Sequence, residues 1–358
     1  MKTQRFALIA VTAFTLCAGS ASAQTPPPKP PVPPPPHDIE RQVQKHVEKA
    51  REHAGKAWKD EGGQEFTDRS SRTFTVSDGT TLVLANVAGT ISVSAVPGSE
   101  IKLDMVKHVK APSEAEGKRR LEESSVEIEE RAGRVEVRTA GPGRHRGWVD
   151  YTVTAPPRTM LEVRSVSGDV SVDGIQGEVR VETVSGGVKA SGLASKSSVK
   201  AVSGDVSVIA SALDGELTAQ SVSGNVVLKQ VKGRELNLGS VSGDVTVSAG
   251  ACQRALLRSV SGNLDMAGTL SKGGRYELKS HSGTVKLQVD GRTGFEVNAD
   301  SFSGDIKTDI PLDVKSKTEN TGYGPPSRTL RAIFLDGSAQ VELSSFSGTI
   351  VISKKAGQ

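Results

Sequence analysis

The sequence predicts an all-β chain, a right-handed parallel β-solenoid of about 19-residue coils with a strand-plus-helix N-terminal cap. Three observations predict it: a six-residue phrase returns nine times, the residues around it alternate apolar and polar, and no helical half-repeat separates the copies. The phrase reads SVSGDV at Ser165, TVSGGV at Thr183, AVSGDV at Ala201, SVSGNV at Ser221 and SVSGDV at Ser240. It continues as SVSGNL at Ser259, SHSGTV at Ser280, SFSGDI at Ser301 and SFSGTI at Ser345. Its glycines are Gly168, Gly186, Gly204, Gly224, Gly243, Gly262, Gly283, Gly304 and Gly348, spaced 18, 18, 20, 19, 19, 21, 21 and 44 residues apart. A period near 20 marks a solenoid, in which each repeat buries its apolar face only against its neighbours.

The period within each copy settles the element type. Apolar pairs two apart follow the phrase (Val170 and Val172, Val206 and Val208, Ile350 and Ile352) and precede it (Leu161 and Val163, Val179 and Val181, Val341 and Leu343). These are period-2 strands broken by Gly and polar turns. Each coil then has two short strands and two turns, and the usual crossover rule makes the winding right-handed. Nine coils at ~4.8 Å each give a rod roughly 40 Å long.

Before the repeats the chain has a legible order. Residues 1–23 read as a signal peptide: Lys2 and Arg5 precede the apolar run Phe6 to Cys17, and Ala21-Ser22-Ala23 places cleavage between Ala23 and Gln24. The apolar run is shorter than the ~20 residues of a membrane-spanning helix. Lipidation of Cys17 would want a small residue before it and Leu three before; Leu16 and Phe14 stand there. The mature protein is expected outside the cytoplasm, periplasmic or extracellular, with no transmembrane segment.

Residues 24–37, QTPPPKPPVPPPPH, hold nine prolines in fourteen residues and predict an extended polyproline spacer of roughly 40 Å. Residues 38–62 have helical spacing, with Ile39, Val43, Val47, Ala50, Ala54, Ala57 and Trp58 on one stripe and Asp38 as N-cap. His46 and His53 share a face of this helix without a carboxylate between them, which reads as helix surface rather than a metal site.

Residues 72–164 differ from the repeats. NVAGTI at Asn86 looks like a degenerate first copy, longer half-exposed strands follow, and Pro112 to Glu123 is a charged helical patch. This segment is expected to cap the solenoid of residues 165–355 and protect an open sheet edge. At the other end, an insertion over 311–334 fills the 44-residue gap, with the loop Thr318 to Arg328 as its candidate partner contact.

Within the phrase each position has an expected job. The glycine is expected at φ > 0, which a residue with a Cβ resists. The second Ser, present in every copy, could bond along a column or cap the turn. Nine identical serines need one common structural reason, so a row of nucleophiles is rejected. The position after Gly carries Asp169, Asp205, Asp244 and Asp305 with no two successive, which avoids stacked like charges and speaks against a calcium ladder. Between the two Ser positions stand six valines, then His281, Phe302 and Phe346. A corner that breaks parity would turn this column inward; strict alternation would turn it outward as an apolar interaction stripe including Val260, His281, Phe302 and Phe346.

Composition narrows function. Lys+Arg 45 against Asp+Glu 41 gives +4, or +2 once Lys2 and Arg5 are removed, which argues against a nucleic-acid binder. Cys17 and Cys252 are the only cysteines, which excludes a disulfide scaffold and a Cys-ligated zinc site; Cys252, in AGACQRA, reads as a turn residue able to pair between chains. GPGRHRG at Gly141 lacks the Lys-Ser/Thr ending of a phosphate loop and reads as a hairpin loop. No catalytic residue, cofactor or metal is expected. The competing reading is a carbohydrate-active enzyme of the parallel β-helix type, which needs a carboxylate pair and aromatic platforms. Trp58 and Trp148 are the only tryptophans, and neither lies in a repeat.

The VSGDV phrase at this spacing, after strands such as WVDYTVTAPP and LEVRSVSGDV, resembles the bacterial toast-rack β-strand-repeat proteins, also described as adhesin-like. The likeness runs from about Arg72 to Lys355 and includes the FSGTI ending. It implies a β-solenoid on the outer side of a bacterial membrane, sometimes tied to envelope stress. The uniform repeats and balanced surface independently lead us to expect an envelope protein or surface ligand as partner, with self-association as a further option. It supplies no catalytic residues. The cleavable signal, the proline spacer and the missing anchor set this chain apart from membrane-tethered members.

Overall fold

The computed structural model describes residues 63–139, 147–320 and 327–355. The signal peptide with Ala23 and Gln24, the spacer, the 38–62 helix and most of GPGRHRG lie outside the described residues. Those described form one all-β, solenoid-like sheet with the single helix Glu114–Glu123.

Alternation explains the strands. In Val170–Asp173 and Val206–Ile209 the valines are buried and the residues between them are not. The coils stack as parallel ladders in which each residue faces its counterpart one repeat on: Val163 pairs with Val181, Val181 with Val199, Val199 with Ala219 and Ala219 with Leu238. The offset between partners is 18 to 21 residues, following the glycine spacing. Val163, Val181, Val199, Leu238 and Leu257 are all at most 1% exposed. Each such side chain contributes ~1.5–3 kcal/mol relative to exposure.

A further buried column comes from the corner after the second strand. Ile175, Leu193, Leu213, Val231, Cys252 and Leu270 all turn inward there. Cys252 is therefore not in an exposed turn. It lies within the strand Val245–Ser261, which runs through that corner with register shifts on either side and pairs with Gly233 and Leu270. A thiol behaves here as a small apolar side chain.

Both ends depart from sequence order. Thr81–Ala88 and Ile91–Ala95 form the coil of the degenerate phrase and pair with Met160–Ser167 and Val170–Asp173 on one side. On the other side they pair with Arg134–Thr139 and Gly147–Ala155, which come later in the chain. Antiparallel strands finish that end: Val126–Arg131 covers Arg134–Thr139, Glu100–Ala111 covers Gly147–Ala155, and Gln64–Thr75 covers Glu100–Ala111. The helix starts at Ser113, whose hydroxyl accepts the Glu116 N–H at 3.4 Å, and seats Gly117 against the Phe66 ring.

The far end mirrors this. The last phrase, in Ala339–Ser347 and Ile350–Lys354, pairs with Leu264–Ser282 and Val285–Val289 on one side. On the other it pairs with Phe295–Ser301 and Ile306–Thr308. The copies expected in sequence order therefore stack as Gly262, Gly283, Gly348, Gly304. The insertion is a hairpin, Asp313–Asn320 with Ser327–Phe334, antiparallel to Phe295–Ser301. The described ends of the expected loop from Thr318 to Arg328 are paired strand, with Thr318 opposite Thr329 and Asn320 opposite Ser327; 321–326 lie outside the described residues. No helix among the described residues is long and apolar enough to cross a membrane.

Candidate interaction surface

The phrase is built around its glycine. A Cβ added at Gly224 would overlap the carbonyl oxygen of Gly204 and lie 2.6 Å from that carbonyl carbon; Gly168 meets Gly89, and Gly348 meets Gly283, in the same way. Left-handed φ is the minor reason. Gly168, Gly186 and Gly283 do have φ of +128°, +141° and +144°, and Gly204 at +159° borders extended backbone. Gly224, Gly243, Gly262, Gly304 and Gly348 lie outside the left-handed region, so the expectation of positive φ at every copy is corrected. Close backbone approach between coils is the common requirement.

From Ser221 onward the first Ser, not the second, fills the gap the glycine leaves, whereas the Ser165 and Thr183 hydroxyls are buried without a partner and the third copy has Ala201. Ser221 donates to the Gly204 carbonyl at 2.9 Å, Ser240 to Gly224 at 2.9 Å, Ser280 to Gly262 at 3.1 Å and Ser301 to Gly348 at 3.1 Å. These first serines are buried. The second Ser is exposed in every copy but Ser167, which is half-buried. Period two had both serines to choose from, and burial of the first decides the parity of everything between them.

The position after Gly has a task beyond charge avoidance. The Asp205 carboxylate accepts the Asn225 N–H at 2.7 Å, the Asn225 side-chain Oδ1 accepts the Asp244 N–H at 3.0 Å, and the Asp244 carboxylate accepts the Asn263 N–H at 2.7 Å. Asn263 passes the pattern to Thr284 at 2.9 Å, and Asp169 serves Gly187 at 2.8 Å. Each side chain thus satisfies a turn N–H of the next coil. Spacing alone carried no signal for this ladder.

With the first Ser inward, the column beside it turns out. Val166 is 46% exposed, Val260 42%, Phe302 38% and Phe346 47%, with His281 also exposed. The inward corner is corrected at these five positions, while Val184, Val202, Val222 and Val241 are half-buried. Because the last phrase lies between its neighbours, Phe346 sits between His281 and Phe302. Its ring centroid is 4.8 Å from that of His281 and 4.6 Å from that of Phe302, at interplanar angles of 11° and 9°. The stacked faces cover one another.

Elsewhere the exposed apolar side chains Val96, Met160, Val314 and Leu335 stand outside the column. Ion pairs link coils at Arg254–Glu235, Arg258–Glu277 and Lys279–Glu342. Burial alone would raise the Glu277 carboxyl, but hydrogen bonds from Lys279 and Arg258 hold it below its usual range. Trp148 stacks on His108 at the N-terminal end, with centroids 4.9 Å apart, and the His108 ring nitrogens face Glu65 and Asp150. A cleft of about 400 Å³ there is lined by Thr75, Ser77, Thr80, Glu130 and Arg131, none of them from the repeats. Among the described residues no group of three or more His, Cys, Asp or Glu is arranged to hold a metal ion.

Burial pushes the Cys252 thiol from its usual 9 up to about 12. The protonated thiol's contribution to stability is fully present below pH 9 and is lost as pH rises toward 12. Folded protein is expected to leave Cys252 unlabelled by iodoacetamide at about pH 8, with reaction only after denaturation. Stoichiometric labelling of folded protein would show that this corner opens.

The Toastrack DUF4097 family profile matches residues 73–249 and 215–353. No curated protein matches the chain. Among solved structures, a candidate adhesin of Bacteroides fragilis is 13% identical, with 80% of this chain and 97% of that one covered at a TM-score of 0.40. A candidate cell adhesion protein of Clostridium sporogenes is 13% identical, covering 80% and 100% at a TM-score of 0.21. A candidate lipid-binding protein of Parabacteroides distasonis is 11% identical, covering 81% and 97% at 0.34. With a family match over most of its length, and with the repeat phrase standing at the same place in every coil, this chain belongs to the Toastrack DUF4097 family.

Proposed function

We propose that the protein is an exported, non-enzymatic binding or scaffold module of the bacterial cell envelope, adhesin-like or associated with envelope stress. In this reading the signal peptide is cleaved after Ala23 and the proline spacer holds the domain off its attachment. The domain is a right-handed parallel solenoid of about 19-residue coils, closed by the strand-plus-helix cap. The outward column carries the reading: it is exposed at Val166, Val260, Phe346 and Phe302 and half-buried at the four valines between, and an apolar strip along a ladder marks an interaction site. The sugar-cleaving alternative finds less support. A sugar platform offers a free ring face, whereas Phe346 has both faces against neighbouring rings.

Crosslinking in living cells, with capture of the mature chain, tests the proposal. Wild type is expected to yield a reproducible envelope or self-crosslinked product that the double variant Phe302→Ser, Phe346→Ser loses at equal abundance. An unchanged product pattern would remove the column from the binding function.

A further inference from the structure

We propose that the outward column is the contact of a homodimer whose two-fold axis runs along the stacking direction of the coils. The inference rests on the column being a binding face, and it names the occupant as a second copy of this chain.

Charge on either side of the column selects this occupant and this orientation. Val166 lies between Arg164 on its strand and Asp169 past the turn; Val202 lies likewise between Lys200 and Asp205. All four charged residues are exposed. The column therefore has a basic flank and an acidic flank in these coils. Two copies facing each other with their stacks parallel exchange the flanks, so Arg164 of each meets Asp169 of the other and Lys200 meets Asp205. Arg164 also bonds Glu162 of its own strand at 2.6 Å. The parallel arrangement opposes Asp300 to Asp305 at the far end, but Arg328 already pairs with Asp305. An antiparallel arrangement keeps like flanks together. It would set Lys200 against Lys279, Asp169 against Asp305 and Asp244 against itself, with Arg164 against Asp300 as its one attractive pair. Opposed like charges cost affinity and fix register.

The apolar part agrees. In the parallel arrangement each rung meets its own copy, so the valines meet valines and the Phe346–Phe302 stack meets the same stack. A strip of nine rungs, roughly 40 Å long, with one flank on each side about 20 Å wide, covers about 800 Å² per partner. That is the usual size of a specific interface.

Sedimentation of the mature chain over a concentration series, with oxidation of a Val166→Cys variant, tests the proposal. Cys252 is buried and does not compete. The expected result is a dimer in which Cys at position 166 crosslinks to its own counterpart. Both Lys200→Glu and the double variant Phe302→Ser, Phe346→Ser should weaken it about tenfold or more with thermal unfolding unchanged. A monomer up to about 100 μM overturns the proposal. So does a dimer in which position 166 crosslinks only to Phe302→Cys in a mixed sample, since that is the antiparallel contact. If the chain is monomeric yet its cellular crosslinks still depend on Phe302 and Phe346, self-pairing fails while the binding reading stands. If those crosslinks are also unaffected, both fail.

Discussion

Gly224→Ala is expected to cost the domain about 3–5 kcal/mol, whereas Gly273→Ala costs about 1 kcal/mol. The two positions separate two reasons for glycine. Gly273 has a φ of +71° with nothing within 4 Å of an added Cβ, so only backbone strain opposes alanine. Gly224 lies outside the left-handed region, but its Cβ would overlap the Gly204 carbonyl and come within 2.9 Å of the Ser221 hydroxyl. Neither neighbour can yield, because Gly204 and Ser221 bond each other across the same gap at 2.9 Å. Relief requires two coils to separate, and with them the ladders on both faces. Thermal unfolding of the two variants beside wild type decides the matter. Equal shifts would mean that backbone conformation, not coil approach, selects the glycine column.

Removing residues 339–358 should damage the fold well inward of the chain end. The missing strands would be those between Leu264–Ser282 and Phe295–Ser301, and between Val285–Val289 and Ile306–Thr308. Val341, Leu343, Ile350 and Ile352 are at most 3% exposed. At ~1.5–3 kcal/mol for each such side chain, the loss is on the order of 10 kcal/mol before relaxation. Hydrogen exchange should show protection lost over 295–334 as well, because those strands would have no coil to lie on. Protection retained there would show that the last coil is an accessory and not an interior rung.

Much of this architecture was legible from one phrase. Its recurrence supplied the register: Ser165, Thr183, Ala201 and Ser221 were aligned by sequence, and the ladders pair them in that alignment. NVAGTI was likewise recognisable as a coil because its glycine keeps the same place, under Gly168. The stacking order at the end was not legible. SFSGDI and SFSGTI are locally equivalent, and a 44-residue gap reports an inserted segment without saying on which side of it the chain returns. The stripe's parity was open because the phrase contains a turn, and alternation cannot be carried through a turn without knowing which serine is buried. AGACQRA looked like a turn because its residues are small, yet the same smallness lets a bulged strand continue through a corner. The ladder of Asp and Asn side chains left no pattern of its own, since any short polar residue satisfies a turn.

The crossed order at the two ends has a mechanical consequence. A load applied at residue 63 first meets Gln64–Thr75, an edge strand held by one neighbour, which can peel away one hydrogen bond at a time. The chain beyond it enters Thr81–Ala88, which is bonded to Arg134–Thr139 on one side and Met160–Ser167 on the other. To extract that strand, two ladders must shear together. A load at residue 355 meets the equivalent arrangement at once, because Ile350–Lys354 is held between Val285–Val289 and Ile306–Thr308. The described sheet therefore has a compliant lead at residue 63 and a clamp behind each end, and tension between them is borne by the cross-strand bonds of interior coils.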